Sequence, residues 1–253
     1  MIITVTNQKG GVSKSTTSQN LGAGLASRGY KVLLIDLDAQ ANLSLSCGVK
    51  EPQKTVYTIL KDKTQTKASI KPVKENLFII PASLALSTAD LELNEVGKEY
   101  RLAEALEEVR NEYDYIIIDT PPALSILTVN ALTVADKVII PAQADLFSLE
   151  AIKQLNSTIE TIKRYTNKNL TIAGIVLARY NNRNILTQEL TEVLNTTADY
   201  LKTKVFKSTI REAIAIKEAQ ARKQDIFEYS PESNVASDYM GLVEEVIKDS
   251  IRK

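Results

Sequence analysis

The sequence predicts an α/β fold: a doubly wound, mostly parallel sheet with helices on both faces. Three observations carry that reading. Short β-branched runs alternate with helical patterns almost from end to end, several of the runs are apolar nearly throughout, and a glycine-rich turn joins the first run to the first helical stretch. The chain has 253 residues, 44% apolar and 25% charged, enough to bury a sizeable core. It is read as one domain spanning residues 1–253, with no linker, repeat or low-complexity tract.

Taken in order, Ile2 to Thr6 is the first strand. It lacks the basic flank, long apolar stretch and cleavage site of a secretory leader, and no apolar run approaches the roughly 18 to 20 residues that cross a bilayer. Ser15 to Arg28 is the first helix, and its Gly22-Ala23-Gly24 reads as close helix packing rather than a dinucleotide fingerprint. Lys31 to Asp36 is a strand, and the polar stretch Glu51 to Glu75 is a loop excursion carrying a short helix, Val56 to Lys61. Leu77 to Pro81, Tyr115 to Asp119, Lys137 to Ala142, Leu170 to Leu177 and a short Lys204 to Phe206 complete the strands. Between and after them come helices at Leu84 to Asn94, Arg101 to Tyr113, Ser125 to Val134, Leu149 to Tyr165, Leu186 to Asp199, Ile210 to Ala221 and Val235 to Ile251.

Composition excludes several chemistries. There is no histidine, so serine or cysteine hydrolysis through an imidazole and His-ligated zinc are out. A lone cysteine, Cys47, makes no internal disulfide and cannot supply an iron–sulfur cluster's thiolates, which suits a reducing, cytoplasmic setting. Basic and acidic residues balance at 31 each, so any contact with nucleic acid or anionic lipid must come from a local patch.

The strongest motif is Lys9-Gly10-Gly11-Val12-Ser13-Lys14-Ser15-Thr16, set between the first strand and the first helix. Adjacent glycines turn backbone N–H groups inward and the helix N-terminus adds partial positive charge, so the loop cradles an anion. Lys14 is placed to reach β- and γ-phosphates, Ser15 to ligate Mg²⁺, and Thr16 to touch an inner phosphate. Gln8 and Ser13 stand where the usual phosphate loop has glycine, and a Cβ at position 13 crowds a place where backbone approaches phosphate. Asp36 and Asp38 close the second strand with a period of two, and Asp119 closes another. All three are expected to face the crevice beyond the strand ends, with Asp119 as the second Mg²⁺ partner, through water.

With these residues in hand the chain resembles the ParA-type partition ATPases, the deviant-Walker branch of the P-loop NTPases. The carrying motifs are the loop above, Asp36-Leu37-Asp38-Ala39-Gln40, and Tyr113-Asp114-Tyr115-Ile116-Ile117-Ile118-Asp119-Thr120-Pro121-Pro122. The resemblance implies an ATPase using ATP and Mg²⁺, closing as an ATP-sandwich homodimer in which Lys9 reaches the partner's nucleotide and Asp38 places the attacking water. Lys9, Lys14 and Asp38 are then the catalytic set, and residues 9 to 16 with Asp36 hold the nucleotide. Ala39 replaces the family's proline, and Ile210-Arg211-Glu212-Ala213 replaces its Ile-Pro-Arg-Asn segment. Arg211 and Arg179 therefore take the positions that flank the adenine, where guanidinium planes can stack.

The resemblance further implies nonspecific double-stranded DNA binding through Arg183, Lys202, Lys204, Lys207, Lys217, Arg222 and Lys223, a ParB-like partner that stimulates hydrolysis, and a nucleoid-associated location. With the first strand at Ile2, no helix-turn-helix arm is expected in front. Two other classes compete. A membrane-cycling ATPase of the MinD type needs a basic amphipathic tail, and Glu244, Glu245 and Asp249 dilute that charge here. A small-molecule ligase on the same scaffold needs a substrate-binding insertion, and none is seen. No membrane partner is expected.

Overall fold

A computed structural model describes residues 1–181 and 185–251. In chain order the elements are β1 (Ile2–Val5), α1 (Lys14–Ser27), β2 (Val32–Asp36), α2 (Asn42–Ser46), α3 (Val56–Lys61), α4 (Thr66–Ser69), β3 (Lys71–Lys74) and β4 (Leu77–Ile80). Then follow α5 (Ala89–Glu92), α6 (Arg101–Leu106), β5 (Tyr115–Asp119), α7 (Ile126–Val134), β6 (Lys137–Ala142), α8 (Leu146–Tyr165) and β7 (Thr171–Tyr180). The chain closes with α9 (Ile185–Tyr200), β8 (Ile210–Arg211), α10 (Ile214–Ala221), α11 (Ile226–Tyr229) and α12 (Asn234–Ile251).

Among the described residues the strands form one eight-stranded sheet in the order β3-β4-β2-β5-β1-β6-β7-β8. Every pairing is parallel except β3 with β4. The period of two sorts each central strand between two cores. Leu33, Ile35, Ile116, Ile118, Val138 and Ile140 pack under α3, α6, α7, α8 and α9, whereas Ile3, Val5, Leu34, Ile117 and Ile139 pack under α1, α11 and α12. α1 approaches closely because it carries glycine: a Cβ on Gly22 would lie 2.6 Å from Leu34 Cδ2, and one on Gly24 2.5 Å from Val243 Cγ2. Gly22 and Gly24 are packing residues, as expected.

The structure corrects several predicted elements. The excursion before β4 also contains an edge strand, β3, which Lys71, Pro72 and Lys74 disguised as loop; lysine and proline are what an exposed edge tolerates. The helix predicted over Leu84 to Asn94 is a 3₁₀ turn followed by α5, and the one over Arg101 to Tyr113 is α6 plus a 3₁₀ turn at Arg110–Glu112. Leu102, Ala105, Leu106 and Val109 keep helical spacing and are buried, which is why the pattern looked continuous. Lys204 to Phe206 makes one bridge, Val205 to Ile175, and the next strand is Ile210–Arg211, read from sequence as the start of a helix. Ile210 is buried against the sheet, and the helix begins only at Ile214.

Candidate phosphate-binding crevice

Strand order places the reactive residues. β1 lies between β5 and β6, so the loop after it and the C-terminal ends of β2 and β5 open on one edge of the sheet. A crevice of about 640 Å³ there is lined by Gly10, Gly11, Ser13, Lys14, Ser15, Thr16, Asp38, Gln40, Asn42, Leu45, Ser46, Pro122, Gln220 and Lys223. A larger groove of about 870 Å³ between α8 and α9, lined among others by Lys153, Arg164, Val193 and Tyr200, contains no residue of the loop.

The loop turns through the left-handed region twice, at Gly11 (φ 75°) and at Ser13 (φ 67°). Glycine takes that conformation freely, while Ser13 holds its Cβ against the following carbonyl, so strain rather than crowding alone marks this substitution. Its carbonyl accepts the Thr17 N–H at 2.8 Å and so starts α1. Lys14 is buried, and its Nζ donates to the Lys9 carbonyl at 3.1 Å, bridging the loop. Burial lowers its pKa, opposed by the nearby carboxylates of Asp119 and Asp38.

The three aspartates divide. Asp38 lies beyond the end of β2 and lines the crevice, whereas Asp36 is fully buried and accepts from the Ser44 N–H at 2.8 Å and the Ser44 hydroxyl at 2.7 Å. Asp36 thereby fixes the start of α2, and the Asp38 N–H also donates to it. Asp119 is paired in register with Asp36 across β2 and β5. Its Oδ1 accepts from Ser18 Oγ at 3.0 Å, while its Oδ2 is buried without a hydrogen-bond partner among the described residues. Burial and the neighbouring Asp36 push the Asp119 carboxyl up, with Ser15, Ser18 and Lys14 pulling the other way. A buried carboxylate beside the Ser15 hydroxyl, with one oxygen outside hydrogen-bond geometry among the described residues, suits a hard oxygen-seeking cation such as Mg²⁺.

Lys9 points away from the loop it opens. Its Nζ lies 2.5 Å from Asp145 Oδ2 and close to Gln143 and Ser148 at the start of α8. Asp145 is the N-cap of α8, accepting the Ser148 N–H at 2.8 Å, and the bond to Lys9 helps hold its carboxyl below the usual range. Leu146 and Phe147, beside it, are 71% and 78% exposed.

A second cavity of about 240 Å³ shares Gly11, Ser13, Thr16 and Gln220 with the crevice and is also lined by Arg179, Arg211, Lys217 and Tyr239. Both predicted base-flanking arginines therefore meet beside the loop. Each is already engaged: Arg179 with Glu212 at 2.6 Å, Arg211 with Asp238 at 2.7 Å. The predicted DNA-contacting cations scatter. Lys202 and Lys207 are exposed, Lys204 pairs with Asp249 at 2.6 Å, Arg222 lies over the Tyr229 ring, Lys217 lines the second cavity and Lys223 the crevice. Arg183 lies outside the described residues.

Sequence reasoning missed Asp145, Ser18, Gln220 and the position of Lys223. Asp145 carried a helix-cap signal, Asp-Leu-Phe-Ser before an apolar run, but nothing local tied it to Lys9. Gln220 donates from Nε2 to Thr16 Oγ1 at 2.9 Å across 204 residues, which no local pattern announces.

Parallel sheet, strand-to-helix phosphate loop and carboxylates at the strand ends together define a P-loop NTPase. Comparison with known proteins narrows the class. A family model described as an AAA domain matches residues 1–172, and one described as 4Fe-4S iron sulfur cluster binding proteins of the NifH/frxC family matches residues 103–252, a stretch without cysteine. The sporulation initiation inhibitor protein Soj of Bacillus subtilis is 42% identical over 250 residues, covering 97% of each chain. The chromosome partitioning protein ParA of Caulobacter vibrioides is 37% identical over 252 residues, 97% of this chain and 93% of the relative. A plasmid partition protein from Borrelia burgdorferi superposes with a TM-score of 0.79 at 28% identity, covering 98% of each chain. Cobyrinic acid a,c-diamide synthase from Mycobacterium smegmatis, crystallised with ADP and magnesium, does so at 0.85 and 29%, covering 98% of this chain and 94% of the other. The chain belongs to the Soj/ParA family of partition ATPases.

Proposed function

We propose that this protein is an ATP-driven DNA-partition switch. ATP closes two copies face to face, the closed dimer binds DNA without regard to sequence, and a ParB-like partner stimulates the hydrolysis that releases it. The observation that carries the reading is the position of Lys9: a lysine of the phosphate loop whose ammonium is held outside its own cradle, by Asp145 at a rim with exposed Leu146 and Phe147. Such a cation is free to serve a second nucleotide once that ion pair opens.

Within each crevice the inward N–H groups of Gly10 to Ser15 and the Lys14 ammonium hold the β- and γ-phosphates. Ser15 and Asp119 would hold Mg²⁺, which when bound draws charge from the phosphate oxygens. Asp38, at the crevice wall, accepts a hydrogen bond from the attacking water and orients its oxygen toward the γ-phosphorus. The new P–O bond forms as the bond to the bridging oxygen breaks, and ADP and phosphate result. Lys9 from the other copy stabilises the charge on that bridging oxygen. Asp36 supports the site by holding α2, and Arg179 and Arg211 line the base end.

The experiment compares wild type, Lys9→Ala and Asp38→Ala by light scattering and phosphate release. Lys9→Ala is expected to bind ATP and stay monomeric, while Asp38→Ala binds, dimerises and stalls. Both variants in the same state would refute this division. DNA binding is expected with ATP and not with ADP; at roughly six phosphates per dimer, log affinity falls against log salt with a slope near −5. Arg183→Glu is expected to remove it. Liposome flotation with ATP in place of DNA binding would favour the membrane-cycling class.

A further inference from the structure

α10 ends in a Schellman motif: the Lys223 N–H donates to the Gln220 carbonyl at 3.0 Å and the Gln224 N–H to the Ala219 carbonyl at 3.0 Å. That motif places its C′ residue in the left-handed region, where glycine is the usual occupant. Here the residue is Lys223, at φ 58°. A lysine also ends α9 in this way, at Lys202 (φ 53°), so what distinguishes Lys223 is the place its side chain occupies.

Lys223 lines the phosphate crevice. Gln220, three residues earlier and lining the same crevice, donates to Thr16 Oγ1 at the inner-phosphate end of the loop. Lys223 makes no ion pair among the described residues. Its neighbours do: Lys74 is paired with Asp225, and Arg211 with Asp238. Lys14, Lys223 and Asp38 all line this crevice.

We infer that Lys223 is a nucleotide-binding residue, an added cation at the inner-phosphate side of the crevice. The inference rests on the nucleotide reading above and reassigns Lys223 from DNA to the nucleotide. It gives α10 a role in sensing occupancy, because the same helix end couples Thr16 to the bound phosphate through Gln220. A cation merely complementing the carbonyl end of α10 would need no opposite anion, so the two roles separate in a binding measurement.

The test measures ADP and ATP binding by calorimetry, duplex DNA binding with ATP, and nucleotide-free melting, for wild type, Lys14→Ala, Lys223→Ala, Lys223→Arg and Lys223→Gly. Lys223→Ala is expected to weaken ADP and ATP alike by about tenfold, since both carry the inner phosphate, and Lys223→Arg to keep most of the affinity. Lys223→Gly is decisive. It is expected to raise the nucleotide-free melting temperature by about 2–4 °C while weakening ADP as much as alanine does, two changes of opposite sign that a structural role alone does not give. Wild-type ADP affinity in Lys223→Ala and Lys223→Gly, with Lys14→Ala unable to bind, overturns the inference and leaves the nucleotide reading standing. Failure of the wild-type chain to bind ADP overturns both. Loss of DNA binding with unchanged ADP affinity overturns it in favour of the basic patch.

Discussion

The two ends of the crevice are built on different principles. At the end proposed to hold phosphate, Gly10, Gly11 and Ser13 to Thr16 come from one contiguous stretch, joined by Asp38 just beyond the end of β2. At the end proposed to hold the base, Arg179, Arg211, Lys217 and Tyr239 come from four elements, and the two exposed arginines hold carboxylate partners of their own. Phosphate is recognised largely by backbone, whose geometry a short motif dictates; a base is recognised by side chains, whose meeting depends on distant packing. Lys14 is accordingly buried at the first end, while Arg179 and Arg211 are exposed and paired at the second.

The largest expected effect breaks the phosphate end. Lys14→Ala is expected to lower ATP affinity at least about 100-fold and abolish hydrolysis, because the buried ammonium is the loop's own partner for phosphate. Wild-type affinity by calorimetry would show that the backbone cradle suffices.

Next comes pH. Burial and Asp36 raise Asp119 to about 8, so between the ordinary carboxylate range and that value the folded state binds a proton the unfolded chain has released. Stability from this group is full in acid and is lost as pH rises through about 8. Melting of the nucleotide- and magnesium-free protein is expected to fall over that window, and Asp119→Asn to flatten the fall. An equal slope in both proteins would place the charge cost elsewhere.

Ser13→Gly is smaller: relief of one left-handed non-glycine residue is worth about 1 kcal/mol, or about 2–4 °C in melting temperature, with ATP affinity rising in parallel. An unchanged melting point would show that Ser13 is compensated, for instance by its hydroxyl. Smallest in stability is the base end. Arg179→Ala and Arg211→Ala are expected to leave melting nearly unmoved, since exposed ion pairs contribute little, while weakening ATP severalfold. Equal ATP and GTP affinity in both variants and wild type would show that neither arginine reads the base.

The same division governs what was legible beforehand. The motif from Lys9 to Thr16 announced the loop because its physics is local: glycine for the turn, lysine for charge, hydroxyls for metal. Asp119 was readable as the polar end of an apolar strand. Asp36 and Asp38 share a period of two, yet β2 stops between them, and Ser44 takes Asp36 out of the crevice. β3 was hidden because an exposed edge strand is selected to look unlike a strand. The basic run from Lys202 to Lys223 reads as one patch in sequence, which counts charges without showing that Lys204 pairs with Asp249 and that Lys217 and Lys223 line cavities.

By itself, then, the sequence determined the alternation of strands and helices, the double burial of the central strands, the phosphate loop and the absence of imidazole chemistry. Each follows from periodicity, composition or a contiguous motif, which the chain carries wherever it folds. Only the tertiary structure decided that Lys9 rests on Asp145, that Gln220 meets Thr16, and that Lys223 faces the crevice. These contacts join residues far apart in the chain, and the packing of α8, α10 and α12 around the sheet sets their distances.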